Sequence, residues 1–92
     1  MLKYYHLITI TFKQYQLVKI TFNFFGQKLC YIWCRDKKIN ELCEYFANRI
    51  GRKKKELRWI YENTTFQYDN TANELKLNDK IEIMVLNEKA GG

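Results

Sequence analysis

The chain has 92 residues, which is enough for one small domain with a modest core. Its hydrophobic fraction of 47%, with 16% aromatic residues, excludes a wholly disordered protein. Charged residues interrupt each apolar run before the roughly 18 residues that a membrane span needs. The first twelve residues are also too short and too polar for a secretory signal. The sequence therefore predicts a small globular domain.

Three cysteines, Cys30, Cys34 and Cys43, are an odd number without C-x-x-C spacing. This pattern argues against a disulfide framework and a zinc site, and it predicts a reducing compartment, the nucleus or the cytoplasm. The one histidine, His6, lies outside the predicted domain, and no cysteine–histidine or carboxylate pair suits catalysis. We therefore expect no enzyme activity, no metal and no cofactor.

The net charge of +6 has its basic excess at Arg49 and at residues 52–55. Such a run can contact phosphate or an acidic protein surface, or it can form a solvated loop after a helix. We favour the loop, because most aromatic residues follow strand patterns and do not alternate with the bases. Neither a nucleic acid nor a membrane is an expected partner.

Residues 1–16 are predicted to be an N-terminal extension, either an extra edge strand or a segment without fixed structure. The predicted domain spans residues 17–87 and begins with a hairpin. Its first strand covers residues 17–24, its turn covers residues 25–28, and its second strand covers residues 29–34. Period-two alternation defines the faces of both strands, and the residues on one face are Val18, Ile20, Phe22 and Phe24 in the first strand and Leu29, Tyr31 and Trp33 in the second.

A helix is predicted near residues 37–50, with Asp36 as its N-cap and Gly51 just after its end. Its apolar residues recur with helical spacing on one face, and they are Ile39, Leu42, Cys43, Phe46 and Ile50. One apolar stripe of this kind needs a sheet face to cover it.

Further strands are predicted at residues 57–61 and 80–86, with a possible short strand at residues 65–67 between them. Thr71 and Glu74 have the spacing of a capping box on one helical turn. The element order predicts an α+β protein with a β-grasp fold, in which a mixed sheet packs across one long helix. The first and last strands pair in parallel at the sheet centre.

The chain ends in a predicted flexible tail, residues 88–92, which contains Gly91 and Gly92. Two glycines offer no packing, but they make a thin strand that can thread a narrow channel and present a carboxylate. A frayed end is the alternative explanation for the pair.

Residues 17–92 resemble the ubiquitin-like modifiers and are most similar to SUMO. Residues 39–51 look like its Leu-x-x-Leu-Met-x-x-Tyr-Cys-x-Arg-x-Gly helix, and residues 57–63 are similar to its Ile-Arg-Phe-x-Phe-Asp-Gly strand. Residues 31–35 stand where SUMO has a Phe-Lys-Ile-Lys-Arg strand, residues 70–75 resemble its Asp-Thr-Pro-x-x-Leu, and residues 90–92 match its Thr-Gly-Gly end. The order and spacing of these blocks are more specific than any block alone.

The resemblance implies that Gly92, preceded by Gly91, is activated and then joined by an isopeptide bond to lysines of target proteins. It also implies partners: activating and conjugating enzymes, ligases, processing proteases and proteins with SUMO-interacting motifs. Such motifs bind by strand addition in a groove between the second strand and the helix. The corresponding residues here are Tyr31, Ile32, Trp33, Cys34, Leu42, Phe46 and Arg49. For Leu42 and Phe46, a role in the core is an equal alternative.

This sequence departs from SUMO beside the groove, where Ile32, Cys34 and Glu41 occupy positions at which SUMO proteins have basic residues, and Arg49 keeps its base. Two other functions fit a β-grasp domain. One is a sulfur carrier with a C-terminal thiocarboxylate, and the other is an interaction module that is never conjugated.

Overall fold

The computed structural model describes residues 16–66 and 68–88. The extension before Gln16 and the tail after Glu88, with Gly91 and Gly92, lie outside these residues. In chain order the elements are strands β1 (Leu17–Phe24) and β2 (Gln27–Cys34), helix α1 (Ile39–Arg49), a 3₁₀ turn (Lys54–Glu56), and strands β3 (Leu57–Tyr61), β4 (Thr64–Thr65) and β5 (Lys80–Asn87). No described helix is long and apolar enough to cross a membrane.

The five strands form one mixed sheet in the order β2-β1-β5-β3-β4. β1 and β5 run parallel at its centre, with Ile20 opposite Ile81, and the other neighbouring strands pair antiparallel. Parallel neighbours need a crossover connection, and α1 lies within it. The predicted β-grasp fold is confirmed, including the central parallel pair.

Helix α1 covers one face of this sheet and encloses the core between them. The buried side chains of the sheet alternate along β1, β3 and β5, as the period of two requires. The helix contributes the face predicted from its spacing, with Leu42, Cys43 and Phe46 buried. The buried apolar residues are Val18, Ile20, Phe22, Ile39, Leu42, Cys43, Phe46, Ala47, Leu57, Trp59, Phe66, Ala72, Leu77, Ile81, Ile83 and Val85.

The hairpin between β1 and β2 closes more tightly than predicted. Only Phe25 and Gly26 form the turn, with φ of 52° and 88°, and β2 already begins at Gln27. Positive φ at both central residues is the conformation whose twist matches that of the flanking strands. The short fourth strand, at Thr64–Thr65, begins one residue earlier than the predicted strand at residues 65–67.

The predicted N-cap, Asp36, is wrong. Helix α1 begins at Ile39, and its N-cap residue, Lys38, makes no side-chain capping bond. The backbone amide of Ile39 instead donates to the carbonyl of Asn70 at 3.1 Å, and Lys38 bridges to Thr71. A tertiary backbone contact thus satisfies one of the four amides that have no partner within the helix at its start.

The predicted end of α1 and the predicted capping box are both confirmed. Gly51 follows the helix with φ of 74°. The amides of Gly51 and Arg52 donate to the carbonyls of Asn48 and Ala47 at 3.1 and 2.8 Å, which is a Schellman motif. At the later turn, Thr71 and Glu74 exchange reciprocal bonds of 2.8 and 3.1 Å.

Candidate functional site

A groove of about 420 Å³ runs between the edge strand β2 and helix α1. Its lining residues are Tyr31, Ile32, Trp33, Glu41, Leu42 and Tyr45. The period of two places Tyr31 and Trp33 on the helix-facing side of β2, where both are half-buried. Four of the seven residues predicted for a groove are therefore brought together: Tyr31, Ile32, Trp33 and Leu42.

The other three predicted residues lie outside this lining. Phe46 is 1% exposed and packs into the core against Phe22 and Trp59. Cys34 is half-buried at the end of β2, on the opposite face of the strand from Trp33. Arg49 is exposed in the last turn of α1.

Tyr45 was not predicted for the groove, yet its ring forms one wall. It is 54% exposed, and its ring meets that of Tyr31 edge to face at 5.7 Å. The signal was available in the spacing, because Tyr45 follows Leu42 by three residues and Glu41 by four, which places all three on neighbouring parts of one helix surface.

One rim of the groove carries an ion pair rather than a row of bases. Lys37 Nζ lies 3.9 Å from the carboxylate of Glu41 and 4.8 Å from the ring centroid of Trp33. Both partners of the pair are more than half exposed, so solvent screens the attraction. A partner that binds in the groove would therefore meet an ion pair without net charge at this rim.

Two polar atoms beside the groove are buried without a hydrogen-bond partner among the described residues. They are Tyr31 Oη and Trp33 Nε1. Burial raises the pKa of the Tyr31 phenol, and the positive charge of Arg49 opposes that shift only in part. Buried donors without a partner cost free energy, so these two atoms destabilise this edge of the domain.

The second candidate region is the root of the tail, which Glu88 fixes to the domain. Its amide donates to the carbonyl of Glu56 at 2.8 Å, and its carboxylate accepts a bond from Arg58 at 2.9 Å. Arg52 bonds the side chain of Asn87 at 2.7 Å. A hollow of about 440 Å³ lies at this root, and its lining residues are Arg52, Lys55, Glu56, Asn87 and Glu88.

The basic residues 52–55 were predicted to form a solvated loop, but not all of their side chains lack contacts with other residues. Lys54 pairs with Glu44 at 3.5 Å, bonds the side chain of Asn40, and lies 4.6 Å from the ring centroid of Tyr68. Lys53 and Lys55 are exposed and make no ion pair with another described residue. Lys55, which lines the hollow, therefore keeps exposed positive charge at the root of the tail.

No group of histidine, cysteine or carboxylate side chains within residues 16–66 and 68–88 has the arrangement of a metal site. Among the three cysteines, Cys43 is buried in the core and Cys30 is exposed on β2.

Neither a protein-family model nor a curated protein sequence matches this chain. Solved structures do match. The ubiquitin of Caldiarchaeum subterraneum aligns with a TM-score of 0.70 and 14% identity, over 83% of this chain and 99% of that one. A de novo designed protein based on ubiquitin aligns with a TM-score of 0.67 and 21% identity, over 82% of this chain and 93% of that one.

The chain has the ubiquitin-like β-grasp fold. At these identities the likeness concerns the fold, which spans nearly the full length of both ubiquitin-like proteins.

Proposed function

We propose that this protein is a ubiquitin-like modifier, joined through Gly92 to lysine side chains of target proteins. The observation that carries the proposal is the position of the diglycine in a ubiquitin-like fold. The central strand β5 ends at Asn87, Glu88 is tied to the domain, and the sequence reaches Gly91 and Gly92 three and four residues later.

This placement suits a reaction at the carboxyl group of Gly92. A domain that ends firmly at Glu88 gives an enzyme a rigid body to hold, while the residues beyond it extend toward an active site. Glycine has no Cβ, so the backbone at Gly91 can pass through a channel that other residues would block. Gly92 is activated directly, or after a protease removes any residue that follows it.

The expected partners follow from that chemistry. An activating enzyme adenylates the carboxylate, a cysteine of a conjugating enzyme carries it as a thioester, and a lysine amine of the target takes it as an isopeptide. Ligases and processing proteases complete such a pathway. The exposed charge of Lys55 lies at the tail root, where an enzyme that holds the tail would meet it.

A non-covalent role for the groove is a second proposal, and it is supported by the edge of β2, which pairs with no further strand in the described part of the chain. An extended peptide can add to that edge while its apolar side chains enter the space above Tyr31 and Leu42. The ion pair of Lys37 and Glu41 leaves little net charge at the nearby rim, so we expect apolar contacts to dominate. This differs from the SUMO pattern, in which basic residues attract acidic motifs.

The conjugation proposal can be tested by the remnant that trypsin leaves on target lysines. Cleavage after Lys89 leaves Ala-Gly-Gly on each modified lysine. An N-terminally tagged chain is expressed in native cells, purified under denaturing conditions and digested for mass spectrometry. The matched variant Ala90→Ser must convert each remnant to Ser-Gly-Gly, while valine at both Gly91 and Gly92 must abolish it.

The same experiment separates the alternatives. A C-terminal thiocarboxylate, seen as one sulfur in place of one oxygen on the intact chain, would identify a sulfur carrier. Adducts that persist with both glycines replaced, or no remnant on any lysine, would contradict the modifier function.

A further inference from the structure

Strand β2 presents a long unprotected edge. The amide of Arg35 donates to the carbonyl of Gln16 at 3.1 Å. In the antiparallel register with β1, every second residue of β2 counted back from Arg35 directs its backbone groups toward β1 in the same way. The backbone groups of Lys28, Cys30, Ile32 and Cys34 therefore point away from β1, to the side where the described residues contain no further strand. The carbonyl of Cys34 accepts from the amide of Lys37 at 3.1 Å. Among the described residues, Lys28, Cys30 and Ile32 thus offer free backbone donors and acceptors in a row along β2.

The devices that usually protect such an edge are missing from β2. Its register with β1 is continuous over all eight residues, without a bulge, and it contains no proline. Its one charged residue, Lys28, is directed across the sheet to Glu82 at 3.3 Å. The edge is therefore suited to pair with another strand.

The groove alongside this edge has no neighbouring segment among the described residues. Tyr31 Oη and Trp33 Nε1 are buried beside it and have no hydrogen-bond partner in that part of the chain. Ile32, at the rim, is 53% exposed. A large apolar side chain this exposed beside a free strand edge indicates a surface that another apolar segment covers.

The sequence supplies a segment of matching length and pattern at residues 4–12. Ile8, Ile10 and Phe12 alternate there with Thr9 and Thr11, which is the pattern of a strand with one buried face. Nine residues are enough to follow the eight residues of β2.

The chain between Phe12 and Gln16 is long enough to connect such a strand to β1. Neighbouring strands are about 4.8 Å apart, so the position beyond β2 is about 10 Å from β1. The four steps from Phe12 to Gln16 span at most about 14 Å. Since Gln16 lies beside the end of β2, so short a link requires the segment to run parallel to β2.

We propose that residues 4–12 add to β2 of the same molecule as a sixth, parallel strand, with Ile8, Ile10 and Phe12 over the groove. The segment then occupies the surface to which an external peptide would add, so such a peptide must displace it. This inference rests on the fold and the groove and does not depend on conjugation.

Amide hydrogen exchange of the full chain tests the proposal. In the variant Ile8→Ser, Ile10→Ser, the groove-facing contacts are lost, and exchange at Cys30 and Ile32 should accelerate about tenfold or more. The variant Thr9→Ser, Thr11→Ser is the matched control, because it places the same residue type on the opposite face. In this control, protection of both amides should persist. Unchanged exchange at buried β5 amides verifies that both variants are folded.

Three results would overturn the proposal. Equal exchange at Cys30 and Ile32 in the wild-type chain and the Ile8→Ser, Ile10→Ser variant would show that the segment does not cover the edge. Equal acceleration in both variants would show that the predicted faces are wrong. Protection that rises with protein concentration, together with a doubled mass in sedimentation, would show that a second copy occupies the edge. Ala-Gly-Gly remnants would form in all these cases, so the conjugation proposal is tested separately.

Discussion

The ring of Phe22, at the centre of β1, stacks on the ring of Phe46 from helix α1, with centroids 4.6 Å apart and an interplanar angle of 25°. Trp59 of β3 meets both rings edge to face, at 5.5 and 6.0 Å. These three aromatic residues hold the helix against the middle of the sheet.

Replacing Phe46 with alanine should therefore act on stability. We expect a loss of about 3–5 kcal/mol in the free energy of unfolding, because a fully buried aromatic ring leaves a cavity. Urea denaturation measures the change, and Asn48→Ala, at an exposed position of the same helix, should stay within about 0.5 kcal/mol. A similar small change for Phe46→Ala would contradict its place in the core.

Helical spacing alone could not separate the two roles considered for Phe46. It follows Leu42 by four residues, so a groove and a core are equally compatible with the pattern. The distinction depends on Phe22, which is distant in the sequence and whose ring stacks on the ring of Phe46. Leu42, in contrast, is only 2% exposed and still contributes to the groove lining.

Periodicity and turn chemistry predicted most of the fold. The faces of β1 and β2, the apolar face of α1, Gly51 and the capping box at Thr71 all follow from contacts within a few residues. The N-cap at Asp36 was wrong because a distant backbone carbonyl, that of Asn70, caps the helix. Tyr45 was missed because a sequence pattern marks buried faces better than the exposed walls of a groove.

Gly51 should be sensitive to substitution even though there is space for a side chain. A Cβ there would meet no atom within 4 Å, so the strain comes from the backbone, with φ of 74°. Gly51→Ala should cost about 1–2 kcal/mol, while Gly51→Asn should cost less because asparagine tolerates this conformation better. Thermal and urea unfolding of both variants measure the order, and equal stability of all three proteins would contradict it.

The three cysteines should differ in reactivity. Cys43 is fully buried, and burial raises the pKa of its thiol, while the charge of Lys54 opposes the shift only in part. A raised pKa lowers the fraction of reactive thiolate at neutral pH. Under brief iodoacetamide treatment, Cys30 should be labelled first, Cys34 more slowly and Cys43 least, as read by peptide mass spectrometry. All three should react in urea, and early labelling of Cys43 in the native protein would contradict its burial.

Arg35 should contribute to stability through its side-chain hydrogen bonds. Its side chain is only 12% exposed and joins the end of β2 to the segment before β5. Its Nε donates to Asn73 at 3.0 Å, and its Nη atoms reach the carbonyls of Leu77 and Asn78. A lysine cannot reproduce this planar set of donors.

Arg35→Lys should therefore reduce the free energy of unfolding by about 1–3 kcal/mol, because it removes several hydrogen bonds, one of them to the partly buried carbonyl of Leu77. Arg58→Lys is the matched control, since Arg58 pairs with Glu88 at an exposed site and its replacement should cost about 1 kcal/mol or less. Urea denaturation of both variants, with the slope of each transition compared, measures the difference. If the two substitutions cost the same, the bonds of Arg35 to residues 73–78 do not stabilise the fold as inferred, and the segment before β5 is held by the burial of Ala72 and Leu77 instead.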